Sequence, residues 1–180
     1  MFIVEGVENA RPRILGGGTS INAGYYSRGE AKFNKEAKLM DDDLIEDSYQ
    51  WVEEVMVFEP NVWEWQSAFQ AGLLEVGVTP DNGFIYDHVV GTKVGGTIFD
   101  QFGIRHTSAY FLQYANAESL SVFVHAIAHK ILFKTKGTSK STAYGVEFED
   151  SLGEMHRAFL KGGDHDEIIL SAGALGSHNF

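Results

Sequence analysis

The chain has 180 residues, of which 44% are hydrophobic and 13% aromatic, and it carries a formal net charge of -11 at pH 7. The apolar content supports a folded core, whereas the acidic charge disfavours nucleic acids and anionic membranes, which bind basic surfaces. There is no cysteine, so disulfide frameworks, thiolate zinc sites and thiol nucleophiles are excluded. No apolar run approaches the about 20 residues that cross a bilayer, so we predict no transmembrane segment.

The segment RILGGGTSINAGYYSR at residues 13–28 contains three consecutive glycines. Such a run permits positive φ and lets backbone N–H groups converge on an anion such as a phosphate. The Thr19 and Ser20 hydroxyls and the Asn22 amide add hydrogen-bond donors. The segment lacks the lysine of a P-loop and the βαβ context of a dinucleotide motif. Two interpretations stay open with similar weight: a phosphate-binding loop, or a glycine turn that serves close packing.

Two amphipathic helices are predicted in the middle of the chain. Apolar residues recur at helical spacing over 43–58, directly after aspartates that favour a helix N-terminus, and Pro60 ends the pattern. A second helix is predicted over 62–76, with Asn61 as its N-cap and Gly77 as its stop.

The rest of the chain has the features of short strands and turns. The glycine-rich, β-branched stretch 83–107 predicts a hairpin or small antiparallel sheet with a turn at 100–103. A short helix is predicted over 108–114. The strands predicted after it are 120–133, 144–149, 155–160 and a buried strand at 167–170. The small residues 171–177 are typical of a strand that turns tightly into a helix.

Other groups of residues suggest catalysis or metal binding but are interpreted as structural, and no metal site is predicted. His125 and His129 lie in a β-rich run without a third ligand, so we predict surface-facing or hydrogen-bonded strand histidines. The sequence GDHD at 163–166 predicts a solvated tight turn. Ser20 and Ser177 lack the context of a nucleophile. Three aromatic residues are interpreted as core or helix-surface side chains: Trp63, Trp65 and Phe69.

Three motifs, in the same order along the chain, resemble the glucose-methanol-choline (GMC) oxidoreductases, which are flavoproteins. They are ARPRILGGGTSINAGYYSR at 10–28, YDH at 86–88 with GTKVGGTIFD at 91–100, and SAGALGS at 171–177. The resemblance covers essentially the whole chain and is closest to the plant branch of HOTHEAD-like proteins and mandelonitrile (hydroxynitrile) lyases. It implies FAD as the cofactor and a small-molecule alcohol or cyanohydrin as the substrate of the intact protein.

The resemblance also implies which residues contact the cofactor. In the family the first motif passes along the FAD diphosphate and ribityl chain, and a strand matching the one around Ala128 brackets the adenine. The implied cofactor-binding residues are Ile14, Gly17, Gly18, Asn22, Ala23, Gly24, Tyr25 and Ala128. We expect no catalytic residue here, because the family's catalytic histidine belongs to a C-terminal part without a counterpart in this chain.

The implied fold class is α/β (α+β mixed), with part of a GMC-type FAD-binding domain and part of its antiparallel-sheet substrate domain. We expect 1–40 and 106–180 in the FAD-binding part and 41–105 in the substrate part. The family's GxGxxG strand is also without a counterpart, so we expect a fragment of an oxidoreductase acting on CH–OH groups. The alternative is a truncated remnant or interaction module that binds no flavin by itself. A secretory location is compatible with the resemblance.

Overall fold

The computed structural model describes residues 2–4, 7–134, 141–173, 176 and 177, and it mixes helices with short sheets as predicted. The chain forms two compact units, residues 1–119 and residues 120–180. The helices are α1 Ala31–Glu36, α2 Asp42–Met56 and α3 Glu64–Glu75, with 3-10 helices at Gly17–Ser20 and Ser108–Tyr114. The strands are β1 Phe2–Val4, β2 Val7–Asn9, β3 Tyr25–Tyr26, β4 Asp81–Phe84, β5 Thr92–Val94, β6 Gly96–Thr97, β7 Ile127–Lys134, β8 Thr142–Glu149 and β9 Met155–Phe159. Within the described ranges, no helix combines the length and apolarity that membrane spanning requires.

Helix α2 confirms the first predicted helix to within two residues at each end. Asp41 is its N-cap, since the carboxylate accepts a hydrogen bond from the Leu44 N–H at 2.9 Å. Two further aspartates in the first turn favour the positive end of the helix dipole. The helix ends at Met56 because Val57 adopts an extended conformation with φ -117° and ψ 136°.

Helix α3 begins later than predicted, and Asn61 is not its N-cap. Trp63 occupies that position in extended conformation, and its backbone N–H donates to the Gln66 side-chain oxygen at 2.7 Å. A glutamine three residues after the cap satisfies one unpaired N–H at the helix start, and this side-chain bond sets where the helix begins. The predicted stop is confirmed, because Gly77 follows the helix with φ +89°.

The core of the first unit lies where α2 meets the β3–β6 pair. Its buried apolar residues are Met56, Val57 and Ile98, packed by the half-buried Tyr26, Val52, Val55, Tyr86 and Phe111. Trp51 on α2 contacts Phe111 and Tyr114, with ring centroids 4.7 and 5.6 Å apart, so the predicted short helix at 108–114 packs against α2 as a 3-10 helix.

The predicted hairpin over 83–107 is wrong in its pairing. Strand β4 pairs in parallel with β5, while β6 pairs antiparallel with β3 from the glycine-rich segment. The turn itself is confirmed: Gly103 donates to the Asp100 carbonyl at 2.9 Å, and Phe99 and Arg105 form an antiparallel bridge across it. These strands have two to four residues each, which is too short for alternation to identify their partners.

A charged network joins the end of β3 to helix α2. Arg28 forms a bidentate pair with Glu53, through Nε to Oε1 at 2.6 Å and Nη2 to Oε2 at 2.8 Å, and it also contacts Glu46 at 2.9 Å. The Tyr26 hydroxyl donates to Glu53 Oε1 at 3.0 Å. The hydrogen bond to Glu53 raises the pKa of Arg28. Burial raises the pKa of Tyr26, and the hydrogen bond to Glu53 raises it further. Both groups therefore keep their protons at neutral pH.

Replacing Glu53 removes the acceptor shared by both of these groups. Glu53→Ala is expected to lower the free energy of unfolding by about 2 kcal/mol, because Arg28 and Tyr26 are left with unpaired donors in a partly buried place. The matched control is Glu54→Ala, an exposed position on the same helix. Urea unfolding of both variants measures the difference, and equal unfolding midpoints would contradict the expectation.

The second unit contains the antiparallel meander β7-β8-β9. Strands β8 and β9 confirm two predicted strands, and Val146 in the centre faces Ile131 and Ala158 on either side. Strand β7 begins at Ile127 rather than at residue 120, because His125 has φ +56° and interrupts the extended backbone before it.

The predicted buried strand at 167–170 is wrong. These residues form no strand, and Ile169 is 81% exposed. An apolar run becomes a strand only where a neighbour supplies hydrogen bonds, and no such neighbour is present among the residues described. The turn predicted at 171–177 is partly described: Ser177 donates to the Gly173 carbonyl at 2.9 Å, while residues 174 and 175 lie outside the described residues.

Candidate cofactor site

The glycine run forms a tight turn that leads into a 3-10 helix. Gly16 and Gly17 have φ of +91° and +54°, a left-handed conformation that residues with a Cβ adopt only at a cost. The Gly17 N–H donates to the carbonyl of Ile14 at 3.0 Å and closes the turn. The Ile14 side chain is 62% exposed at its start. Both interpretations of the run thus have a conformational basis.

The glycines of the run differ in what surrounds them. A Cβ on Gly16 would lie 2.9 Å from the Thr107 hydroxyl oxygen, so this glycine serves close packing. A Cβ on Gly17 or Gly18 would meet nothing within 4 Å. The packing interpretation therefore explains Gly16, whereas packing gives no reason for a bare backbone at Gly18.

The hydroxyls predicted to serve as ligand donors are used inside the protein instead. Thr19 donates to the Gly16 carbonyl at 2.6 Å and accepts from the Ser108 N–H at 3.0 Å. Ser20 makes a longer bond to the Leu15 carbonyl at 3.4 Å. The expectation that these hydroxyls face a ligand is wrong in this conformation, because their single protons complete the turn.

Asn22, Ala23 and Gly24 form the second half of the segment. The side-chain oxygen of Asn22 accepts from the Gly24 N–H and from Arg105 Nη1, both at 3.0 Å. Ala23 is exposed, while Gly24 is buried with φ +78°. The Gly24 carbonyl accepts the Ile98 N–H at 2.8 Å, which joins the segment to the core.

Tyr25 and Ala128 are the last of the implied cofactor residues. Tyr25 pairs with Thr97 in the β3–β6 ladder and exposes 59% of its surface, with the Lys93 ammonium 5.9 Å from its ring centroid. Ala128 lies in β7 opposite Phe148, in the second unit. The first unit thus brings together all the implied cofactor residues from Ile14 to Tyr25.

An open groove of about 670 Å³ lies between residues 58–63 and the turn from Thr97 to His106. His106 Nε2 lies 3.2 Å from Asp100 Oδ2, and its ring packs on Phe58 and Tyr110. Hydrogen bonds from the Ile104 and Phe102 N–H groups, together with His106, hold the pKa of Asp100 below its usual range. Three aromatic side chains at and beyond the groove are exposed rather than core, namely Trp63 at 65%, Trp65 at 70% and Phe69 at 63%.

Only one of the two histidines predicted to lie in a strand does so. His129 lies in β7 and contacts Glu149 at 2.9 Å, which confirms a hydrogen-bonded strand histidine. His125 precedes the strand, so that part of the prediction is wrong. The turn at 163–166 is capped by Asp166, whose carboxylate accepts the N–H groups of Gly162 and Gly163.

A cluster that the sequence did not suggest lies at the β8–β9 turn, where the ligand atoms of Asp150, Glu154 and His156 fall within 4.8 Å of one another. Its internal bonds explain it: Asp150 Oδ1 accepts from the Leu152 and Glu154 N–H groups, and Oδ2 contacts His156 at 2.8 Å. His156 and these N–H groups lower the pKa of Asp150. The cluster is a charged turn cap.

Asp150→Asn is expected to destabilise the β8–β9 turn at neutral pH. A carboxyl whose pKa is lowered on folding stabilises the fold above its unfolded pKa of about 4, and this contribution is lost as the pH falls through the folded pKa. The difference in unfolding free energy between wild type and variant should therefore be full near pH 7 and shrink as the pH falls through the lowered pKa of Asp150.

Urea unfolding followed by circular dichroism at several pH values measures this difference. Asp164→Asn is the control, since that carboxylate is exposed and makes no ion pair with the residues that the structure describes. A wild-type advantage that persists unchanged in acid would contradict the expectation.

Comparison with known proteins identifies the family. The sequence profile described as GMC oxidoreductase matches residues 7–180. The chain is 53% identical over 173 residues to Protein HOTHEAD of Arabidopsis thaliana, covering 96% of this chain and 29% of that protein. It is 43% identical to (R)-mandelonitrile lyase 1 of Prunus dulcis over 96% of this chain and 31% of that protein.

A third relative carries an oxidase name. The chain is 44% identical to the sinalpyl alcohol oxidase Nec3 of Nesocodon mauritianus, over 93% of this chain and 30% of that protein. The chain thus spans about a third of the length of these relatives. The resemblance seen in the three motifs is confirmed, and the chain belongs to the GMC oxidoreductase family.

Proposed function

We propose that this chain supplies one wall of the FAD site of a GMC oxidoreductase that acts on the CH–OH group of a small alcohol or on a cyanohydrin. The observation that carries the proposal is the open backbone at Gly17 and Gly18, which no packing contact requires. A backbone turn that no side chain covers, and that opens a short helix, suits the approach of an anionic diphosphate. Asn22, an exposed residue, lies four residues further on.

The residues present fit such a cofactor in one further respect. Lys93 lies beside Tyr25, with its ammonium bonded to the Ser27 hydroxyl and the Asp87 carbonyl. It is a fixed positive charge in a chain whose net charge is otherwise strongly acidic. When bound, FAD supplies a hydride acceptor for alcohol oxidation, whereas this chain's residues bind and orient it.

A segment exchange tests the proposal. In the Prunus dulcis (R)-mandelonitrile lyase 1, the stretch that matches this chain is replaced by residues 7–180, and flavin per polypeptide is counted from absorbance. We expect the exchange protein to retain flavin. A folded exchange protein without flavin, by circular dichroism and absorbance, would overturn the proposal.

The 180-residue chain alone tests whether a complete flavin site lies within it. Mixed with FAD, it is expected to leave the spectrum of free FAD unchanged, because only one wall of the site is proposed to lie within it. The large exposed apolar surface, with Val90 at 86% and Leu152 at 82%, favours this outcome. A shifted flavin spectrum would instead assign a complete site to this chain.

A further assay distinguishes oxidase from lyase chemistry in a flavin-bound protein that contains this chain. Anaerobic mixing with an aryl alcohol bleaches a flavin that accepts hydride, whereas a lyase releases cyanide from mandelonitrile with the flavin spectrum unchanged. We expect one of these two results. If neither occurs with flavin bound, the CH–OH assignment is wrong.

A further inference from the structure

Arg105 contacts the glycine-rich segment from a remote part of the sequence. Its Nη1 donates to the Thr19 carbonyl at 3.1 Å and to the Asn22 side-chain oxygen at 3.0 Å, across 86 and 83 residues of chain. The guanidinium carbon lies 4.3 Å from the centroid of the Phe99 ring. Arg105 therefore contacts both the 3-10 helix and Asn22, which lies two residues after the helix ends.

We propose that Arg105 is a positioning residue for flavin binding, which orients the Asn22 carboxamide so that its NH2 group is presented to the cofactor. This inference rests on the proposed function. Arg105 is not one of the implied cofactor-binding residues, but it acts through Asn22, which is one of them.

The orientation of Asn22 follows from hydrogen-bond chemistry. Two donors, the Gly24 N–H and Arg105 Nη1, converge on one atom of the carboxamide. Only the oxygen can accept from both, so the amide nitrogen must take the other position. That nitrogen makes no hydrogen bond with the described residues, and Asn22 is exposed. The two donors thus leave a donor group facing outward, which suits an anionic ligand.

The support behind Arg105 is rigid. Asp100 Oδ1 accepts the N–H groups of Phe102 and Ile104, which fixes the turn that precedes Arg105. Phe99 and Arg105 bridge across this turn. The Phe99 ring is also packed against the Gly24 backbone, where a Cβ would lie 2.8 Å from Cδ2. One ring thus contacts both the arginine and the segment that the arginine binds.

A lysine cannot reproduce this arrangement. The guanidinium is planar, so it stacks on Phe99 while its N–H groups point in fixed directions toward the two acceptors. A lysine ammonium keeps the charge but has neither the plane nor the fixed directions. If Arg105 acts only through its charge, Arg105→Lys should bind flavin like wild type. If Arg105 acts by positioning, Arg105→Lys should bind flavin less tightly.

The first measurement uses the 180-residue chain without any flavin. Amide hydrogen exchange is followed over residues 16–24 in wild type, Arg105→Gln and Arg105→Lys, with Arg157→Gln as the control because Arg157 forms an exposed pair with Glu147 in the second unit. We expect exchange of the segment to become about tenfold faster in both Arg105 variants and to stay unchanged in the control.

The second measurement counts flavin in the exchange protein carrying the same substitutions. We expect the FAD dissociation constant to rise about tenfold in Arg105→Gln and in Arg105→Lys. Asn22→Asp supplies an independent variant: its carboxylate still accepts from Gly24 and Arg105, so the unfolding midpoint is kept, but it presents an oxygen where the NH2 group was. The flavin affinity of Asn22→Asp is expected to fall at least as far as that of the two Arg105 variants.

The outcomes separate the inference from the function on which it rests. An exchange protein that retains Arg105 and folds without flavin overturns the proposed function. If flavin affinity is unchanged in Arg105→Lys, or is lowered only in Arg105→Gln, the positioning role is overturned. The charge of Arg105 would then be the sole explanation of its effect. Faster exchange of the segment with unchanged flavin affinity makes Arg105 a stabilising residue only. If Arg105→Gln fails to fold, Arg105→Lys and Asn22→Asp decide.

Discussion

Gly24→Ala is expected to lower the free energy of unfolding by about 2 to 5 kcal/mol. The left-handed φ of +78° costs an alanine about 1–2 kcal/mol, and the added Cβ would lie 2.8 Å from Cδ2 of Phe99, an overpacking that costs about 1–3 kcal/mol. The same ring also contacts the Arg105 guanidinium, whose carbon lies 4.3 Å from the ring centroid. Urea unfolding of the 180-residue chain measures the change.

Gly18→Ala is the matched control for this substitution. Gly18 lies in the same segment, its φ is outside the positive range, and a Cβ there would meet no atom within 4 Å. Its free energy of unfolding should stay within about 0.5 kcal/mol of the wild-type value. Equal effects of the two alanines would show that the packing around Gly24 does not control stability.

Gly18→Val is expected to have the opposite profile, with stability kept and flavin lost. The open space around Gly18 accepts a branched side chain without a clash in the protein. The same side chain would occupy the place where a diphosphate approaches the backbone, and its stiff χ1 prevents it from moving aside. In the exchange protein we expect the FAD dissociation constant to rise at least tenfold, equivalent to about 1.4 kcal/mol.

Flavin content per polypeptide and the thermal midpoint of the flavin-free protein are measured together for this variant. Gly18→Ala again serves as control, since a methyl group intrudes less than an isopropyl group. Unchanged flavin content in Gly18→Val would show that the glycines serve the fold alone, and would remove the observation on which the proposed function rests.

Elements whose signals are local were predictable from the sequence. Helix α2 follows from apolar residues at helical spacing and an aspartate that caps its own first turn. Strands β8 and β9 follow from alternation and the tight turn between them. The turn at 100–103 follows from Asp100 and Gly103. In each case the determining residues lie within a few positions of one another, so pairing with remote chain is not required.

Elements that depend on a remote partner were not predictable in the same way. The predicted strand at 167–170 has the composition of a strand and forms none, while β3 has two residues and pairs with β6, some 70 positions later. Composition states a preference for extended backbone, but hydrogen bonds from a neighbouring strand decide whether a ladder forms.

The glycine-rich segment shows the same division. The glycine run, Asn22 and Tyr25 are found from the sequence, because a motif identifies residue types at fixed spacing. The different roles of these residues depend on parts of the chain more than 70 positions away: Thr107 explains Gly16, Phe99 explains Gly24, and Arg105 orients Asn22. Steric contact and hydrogen bonding act over a few ångströms in space, so only the tertiary structure could separate the glycine that packs from the glycine that stays open.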